Sequence, residues 1–209
     1  MRVVEMLCLA NSRKHGRRCV AGILGDGSWV RPVSDTEDGS LPGSACRLDS
    51  GRPIQPLDVV EFAGARADPR PHQPENLLIT DEPWKLLRTQ AISDVTSFLD
   101  RHAYDQPLIF GTRGRAVSWE QVLDRDIDHS LALVKVTRPL FSWSEWSPTQ
   151  LRADFVYRGN SYDLPITFED LPPAGQSAAD WYLTISLGEP YARQGNKCYK
   201  LVAGAIEIP

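Results

Sequence analysis

An internal echo constrains this chain more than any other feature. Trp29-Val30-Arg31-Pro32-Val33-Ser34 reads aromatic, x, x, proline, β-branched, hydroxyl, and Tyr162-Asp163-Leu164-Pro165-Ile166-Thr167 reads the same way. At the same offset of 133 residues, Gly25-Asp26-Gly27-Ser28 falls on Arg158-Gly159-Asn160-Ser161, turn on turn. Arg2-Val3 falls on Lys135-Val136, each read as the start of an apolar strand. Three matches in register predict two copies of one small all-β unit. A unit of this size fits a five-stranded, Greek-key barrel of the OB type.

The rest of the chain fits that frame. Val3–Ala10, Arg18–Leu24, Trp29–Val33 and Leu57–Ala63 read as strands, the last with Asp58 and Glu61 at its exposed positions. Gly64–Asn76 holds three prolines and reads as an exposed connector. Asp81-Glu82-Pro83 carries a helix-start signature, and Trp84, Leu87, Ala91, Val95, Phe98 and Leu99 follow at helical spacing. Ser118 with Gln121 spells a capping box for a short helix. Strand signals return at Ala132–Val136, Asp154–Tyr157, Tyr162–Thr167, Trp181–Leu187 and Cys198–Ile208. The expected fold class is α+β, mainly β: an OB-like barrel with its helical segment over 1–129, and a second barrel over 130–209.

The chain has 209 residues and a net charge of −4. A protein that coats nucleic acid with its whole surface is usually basic, so such binding would need a local patch. The apolar run Met1–Ala10 is too short to span a membrane and lacks a basic lead-in. It reads as a strand, no membrane association is expected, and the expected address is cytoplasmic. Cys8, Cys19, Cys46 and Cys198 form no Cys-x-x-Cys pair and have no paired histidines at zinc spacing. Neither a metal nor a cofactor is expected.

Several strings together resemble a known family. These are Leu7-Cys8-Leu9-Ala10-Asn11-Ser12-Arg13-Lys14, Arg18-Cys19-Val20-Ala21-Gly22 and Trp29-Val30-Arg31-Pro32-Val33-Ser34 at the front. Ile185-Ser186-Leu187-Gly188-Glu189-Pro190 and Tyr199-Lys200-Leu201-Val202-Ala203 mark the back. The chain is similar, over nearly its whole length, to a family of small prokaryotic proteins described as dual OB-fold domains. The resemblance implies two barrels and, by fold analogy alone, nucleic-acid binding.

Four groups of residues fit such binding. Asn11, Ser12, Arg13, Lys14, Arg17 and Arg18 lie in a segment that holds four cations and no acid. It links two strands where the first loop of an OB barrel lies; cations there would take phosphates, and Asn11 and Ser12 would add neutral hydrogen bonds. Trp29 and Arg31 alternate on one strand and share a face, a combination suited to stacking and phosphate pairing. Tyr157, Arg158 and Tyr162, with Arg193 and Lys197, repeat the aromatic and basic mixture in the second unit. Phe141, Trp143 and Trp146 would form a stacking platform, an anchor for a protein partner, or filling at the junction of the units; the junction is the expected place.

Enzyme signatures are absent from the sequence. There is no phosphate-binding loop of the Gly-x-x-x-x-Gly-Lys type, no Gly-x-Ser-x-Gly and no His-Glu-x-x-His. Gly111-Thr112-Arg113-Gly114-Arg115 is a basic turn without the strand–loop–helix context of a nucleotide loop. The expected function is binding of single-stranded or structured nucleic acid. Two alternatives stand: an enzyme acting on nucleotides or nucleic acid through Arg31 and the Asp35–Asp38 carboxylates in a cleft between the barrels, and a protein-interaction module.

Overall fold

The computed structural model describes residues 2–124 and 127–209, with Lys14 described by its backbone alone. It divides into two units, one holding the chain to Arg70 with Glu75–Phe98, the other Pro71–Pro74 with Leu99–Pro209. Residues 99–129 thus group with the second barrel rather than the first. Ile109, Phe110, Val117, Val122 and Ile127 bury themselves in the second core, and that apolar burial draws the segment across.

In the first unit, β1 (Arg2–Lys14), β2 (Arg17–Ile23), β3 (Trp29–Val33), β4 (Asp58–Ala67) and β5 (Asn76–Ile79) close a barrel in the order β1-β2-β3-β5-β4, with β4 returning to β1. The length of β1 makes closure work. Residues Arg2–Leu7 pair with β4, and Leu7–Lys14 pair with β2, across a register shift between Cys8 and Ala10 that bends the strand. Gly22 sits opposite this bend, where a Cβ would lie 2.1 Å from the Leu7 carbonyl oxygen, so only glycine fits. Met6, Cys8, Val20, Val30, Val60, Phe62 and Leu77 fill the interior.

Three expectations for the first half of the chain are corrected. Asp58, read as exposed, is fully buried: it accepts two hydrogen bonds from Arg52 (2.9 and 3.0 Å), one from the Gln55 backbone (2.8 Å) and one from the Thr89 hydroxyl (2.7 Å). The helix predicted from Asp81 begins later. Its first half is β6 (Lys85–Thr89), which adds to β4, and only Ile92–Arg101 forms the helix α1. Strand pairing overrides the helical spacing here, and Trp84 stacks on Phe62 at 4.7 Å. The connector is also less open than expected, with His72 and Gln73 buried.

In the second unit, β7 (Ala116–Val117) precedes the helix α2 (Trp119–Leu123). The capping box is present: the Ser118 hydroxyl accepts from the Gln121 N–H, and the Gln121 side chain accepts from the Ser118 N–H. Then come β8 (Leu131–Thr137), β9 (Leu140–Trp143), β10 (Leu151–Tyr157), β11 (Asn160–Pro165), β12 (Gly175–Gln176), β13 (Asp180–Tyr191) and β14 (Lys197–Ile208). They form two sheets, β11-β10-β9-β12 and β7-β14-β13-β8. A parallel bridge from Ile166 to Val202 joins β11 to β14. With β8 and β9 taken as one strand bent at Arg138 (φ 46°), the connectivity repeats that of the first barrel. The chain is two OB-like barrels.

The echo holds at the hairpins and fails at its front. Arg2-Val3 begins β1, whereas Lys135-Val136 lies near the end of β8. The first strand of each barrel is bent differently, so one offset cannot align its whole length. Among the described residues, no helix is long and apolar enough to cross a membrane.

Candidate nucleic-acid interface

The basic segment is a regular hairpin rather than a loop. β1 and β2 pair up to Lys14 and Arg17, and the chain turns on His15 (φ 48°) and Gly16 (φ 79°), the double left-handed geometry of a type I′ turn. Arg13 stands opposite Arg18, and Lys14 opposite Arg17. Like charges directly across an antiparallel pair repel, so this register concentrates positive potential at the tip. Arg13 and Arg17 are exposed and Arg18 is half-buried; the side chain of Lys14 lies outside the described residues. Backbone bonds between Arg18 and Leu41 (2.9 and 2.8 Å) fix the base of the hairpin.

Asn11 and Ser12 belong to the scaffold. The Asn11 amide donates to the Ile54 carbonyl at 2.8 Å, and the buried Ser12 hydroxyl donates to the Cys19 carbonyl at 3.4 Å. Trp29 and Arg31 share a face of β3, since Val30 between them points into the core. That face is covered at Arg31, which is 5% exposed, while Trp29 is half-buried. Arg31 is therefore not on an open binding surface.

In the second barrel the tyrosines turn inward. Tyr157 and Tyr162 are buried; Tyr157 donates to the Tyr104 carbonyl at 2.7 Å, and Tyr162 to the Thr112 carbonyl at 3.1 Å. Arg158 occupies a left-handed turn position (φ 46°) and is exposed. On the outer face of this hairpin Asp163 takes ion pairs from both Arg115 and Arg152 at 2.5 Å. Arg193 and Lys197 are exposed in the β13–β14 connection.

The aromatic trio separates. Phe141 is in the core, edge-on to Trp181 at 5.2 Å. Trp143 is half exposed and Trp146 is 94% exposed, so they do not fill a junction. They lie at the β9–β10 connection, the same place in the second barrel that the basic hairpin takes in the first. Counting strands from the start of each barrel, rather than matching strings, would have revealed that equivalence in the sequence.

One carboxylate of the enzyme reading has a local job. Asp38 accepts from the Ser40 N–H (3.0 Å), the Ser40 hydroxyl (2.6 Å) and the Thr36 hydroxyl (3.2 Å), which shapes its own turn. Among the described residues, no three His, Cys, Asp or Glu side chains cluster to hold a metal.

The profile described as a dual OB-containing domain matches residues 4–205. No curated protein matches the chain. Similarity to solved structures is weak. One, a murine DNA-binding protein bound with double-stranded DNA, is 5% identical, with 100% of this chain and 98% of that chain covered and a TM-score of 0.39. Another, the Ifi202 HINa domain in complex with a 20-base-pair double-stranded DNA, is 8% identical, with 99% and 95% covered and a TM-score of 0.37. The tetrameric p202 HIN2 is 8% identical, with 100% and 92% covered and a TM-score of 0.34.

Proposed function

The chain belongs to the dual OB-containing domain family, and from that premise we propose that it binds single-stranded or structured nucleic acid through the β1–β2 hairpin of its first barrel. The observation that carries the reading is the register of that hairpin, which sets Arg13 against Arg18 and Lys14 against Arg17. A polyanion relieves the repulsion that this register builds in. OB barrels use the connection between their first two strands for oligonucleotides, and a local patch suffices in a chain of net charge −4. Arg158, Arg193 and Lys197 add exposed cations on the second barrel. We place this activity in the cytoplasm, where the four free thiols stay reduced.

The test is fluorescence anisotropy with labelled DNA and RNA oligonucleotides at several salt concentrations. With about four phosphate contacts on a single strand, the log–log salt slope is near −3. Joint replacement of Arg13, Lys14, Arg17 and Arg18 by alanine flattens that slope while the fold survives. The reading fails if no oligonucleotide binds at low salt, or if the fourfold variant binds like the parent.

A further inference from the structure

The first unit carries a cavity of about 450 Å³ that the hairpin reading does not use. That volume is in the range of small-molecule sites. Its floor is the outer face of the sheet. Met6 and Cys8 fill the core, so Leu7 between them points outward. Leu7 stands opposite Ile23 on β2 and opposite Val59 on β4, and directly paired residues share a face. The three side chains therefore form an apolar row across neighbouring strands, and all three line the cavity. Val95 and Phe98, one turn apart on α1, line it too and give it an apolar wall that contains a ring. Gly25 is a further lining residue, and a Cβ there would meet nothing within 4 Å, so the space beside this turn is open.

The polar groups of the lining are accessible. Arg88 Nη2 donates to Glu5 Oε1 at 3.0 Å, and both residues line the cavity. Their side chains are 52% and 53% exposed, so a ligand reaches both. Among the described residues the pair makes this single contact, which leaves the other guanidinium N–H groups and Glu5 Oε2 for a ligand. Asp94 adds a second, exposed carboxylate; its Oδ1 accepts from the Ser93 hydroxyl at 3.2 Å. Gln90 adds an amide that donates or accepts. The cavity thus sets one cationic donor beside two carboxylate acceptors, over an apolar floor.

These features select a chemical class. An apolar cavity with a phenylalanine in its wall suits a flat ring. Carboxylates outnumber the arginine in the lining, so the edge of that ring needs more donors than acceptors. Among the common bases only guanine meets this on its pairing edge, with O6 as the acceptor and N1–H and the 2-amino group as donors. Adenine offers one donor and one acceptor there, and cytosine and uracil offer one donor group and two acceptors. We propose that the cavity binds a guanine base, its O6 on Arg88 and its N1–H and amino group on the Glu5 carboxylate. Both sides of that contact are charge-assisted. The base comes from a free nucleoside or from an unpaired guanine in a strand, and the same contacts serve both. This goes beyond the hairpin reading, because no residue of the basic patch takes part.

The experiment is isothermal titration of the full chain with guanosine, inosine, adenosine, cytidine and uridine. Guanosine binds. Inosine, which lacks the 2-amino donor, binds about tenfold more weakly, and the other three lose at least as much. Glu5→Gln and Arg88→Gln each weaken guanosine about tenfold and leave the melting temperature unchanged, because an exposed ion pair contributes little to stability. Lys85→Gln, on the same strand as Arg88 but outside the described lining, leaves guanosine binding as it was. Anisotropy separates the two sources. If the base arrives in a strand, oligo-dT with one central dG binds more tightly than all-dT, and Glu5→Gln removes the difference; equal binding of the two strands assigns the cavity to the free nucleoside. Should no oligonucleotide bind, the hairpin reading alone fails, since the guanosine titration needs no strand. The proposal is overturned if guanosine does not bind, if inosine or adenosine binds as well as guanosine, or if both cavity variants bind like the parent.

Discussion

Val33 and Ile166 hold the same position in the two barrels. Each follows a proline at the end of the barrel's third strand, and each pairs in parallel with the last strand, Val33 with Leu78 and Ile166 with Val202. The proline has no N–H to give the hairpin, so the strand is released there toward its parallel partner. The duplication is thus built at the point where an OB barrel closes. Ile166 lies in the second core, and Ile166→Ala should cost about 2–5 kcal/mol of unfolding free energy. Urea denaturation checks this; a loss below about 0.5 kcal/mol would remove Ile166 from the closure.

What the sequence revealed follows from the physics of each element. The turn at His15-Gly16 reads as part of a loop, because the charged residues around it carry no strand alternation. The hairpins turning at Gly25-Asp26-Gly27 and Arg158-Gly159-Asn160 were legible because turn chemistry is local, with Gly27, Arg158 and Gly159 in the left-handed region. The Ser118–Gln121 box was legible for the same reason. β6 was not, because its pairing with β4 is a long-range event that no local spacing records. The inward turn of Tyr157 and Tyr162 was hidden likewise: aromatic residues favour strands whichever face is buried. The cavity lined by Glu5 and Arg88 joins residues 83 apart in sequence, with no periodic signal between them.

The buried carboxylate of Asp58 organises the first unit. Its four hydrogen bonds tie Arg52, Gln55 and Thr89 to the start of β4, and Arg52 in turn has its guanidinium pKa raised by that bond. Asp58→Ala leaves those donors without their shared acceptor. The expected loss is about 3 kcal/mol, since breaking one side of a buried pair costs more than the pair contributes. Guanidinium denaturation reads it; a loss under about 1 kcal/mol would mean that water takes over the carboxylate's place.

Lys200 gives the second unit a pH dependence. The side chain is fully buried, its Nζ donates to the Thr112 carbonyl at 2.6 Å, and it lies 5.0 Å from the Tyr162 ring centre. Burial pushes the amine down from its ordinary 10.5 to about 7. Between those values the unfolded chain binds the extra proton, so the contribution of Lys200 to stability rises with pH from about 7 toward 10. The slope approaches about 1.4 kcal/mol per pH unit. Above about pH 8.5 the buried thiols of Cys8, Cys46 and Cys198, and above about pH 10 the buried tyrosines, whose pKa values burial raises, act in the opposite direction. Denaturation midpoints at pH 7, 7.5 and 8, below the range in which unfolded thiols ionise, should climb in the parent and stay nearly level in Lys200→Met. A flat parent profile would contradict the burial of this amine.

The four thiols should differ in reactivity. Cys8, Cys46 and Cys198 are buried, and burial lifts Cys46 to about 12 and Cys198 to about 11. Cys19 is half-buried. Because the thiolate is the nucleophile, a brief maleimide pulse on the native protein should label Cys19 first. Peptide mass spectrometry locates the label, and early modification of Cys46 or Cys198 would speak against the packing described.

Trp146 and the basic hairpin contribute different physics to strand binding, and their variants should separate. Trp146 is 94% exposed, so Trp146→Ala removes almost no packing and should leave stability within about 0.5 kcal/mol. If a base stacks on the indole, affinity for single strands falls by about 1–3 kcal/mol. Stacking releases no counterions, so the salt slope of Trp146→Ala should match the parent's while its curve shifts to weaker binding. The fourfold hairpin variant behaves in the opposite way: the slope flattens, because phosphate contacts are what salt competes with. Anisotropy titrations at three or more salt concentrations distinguish the two patterns. A Trp146→Ala variant that changes the slope would mean that the tryptophan supports cation placement instead of stacking, and one that changes nothing would confine strand binding to the first barrel.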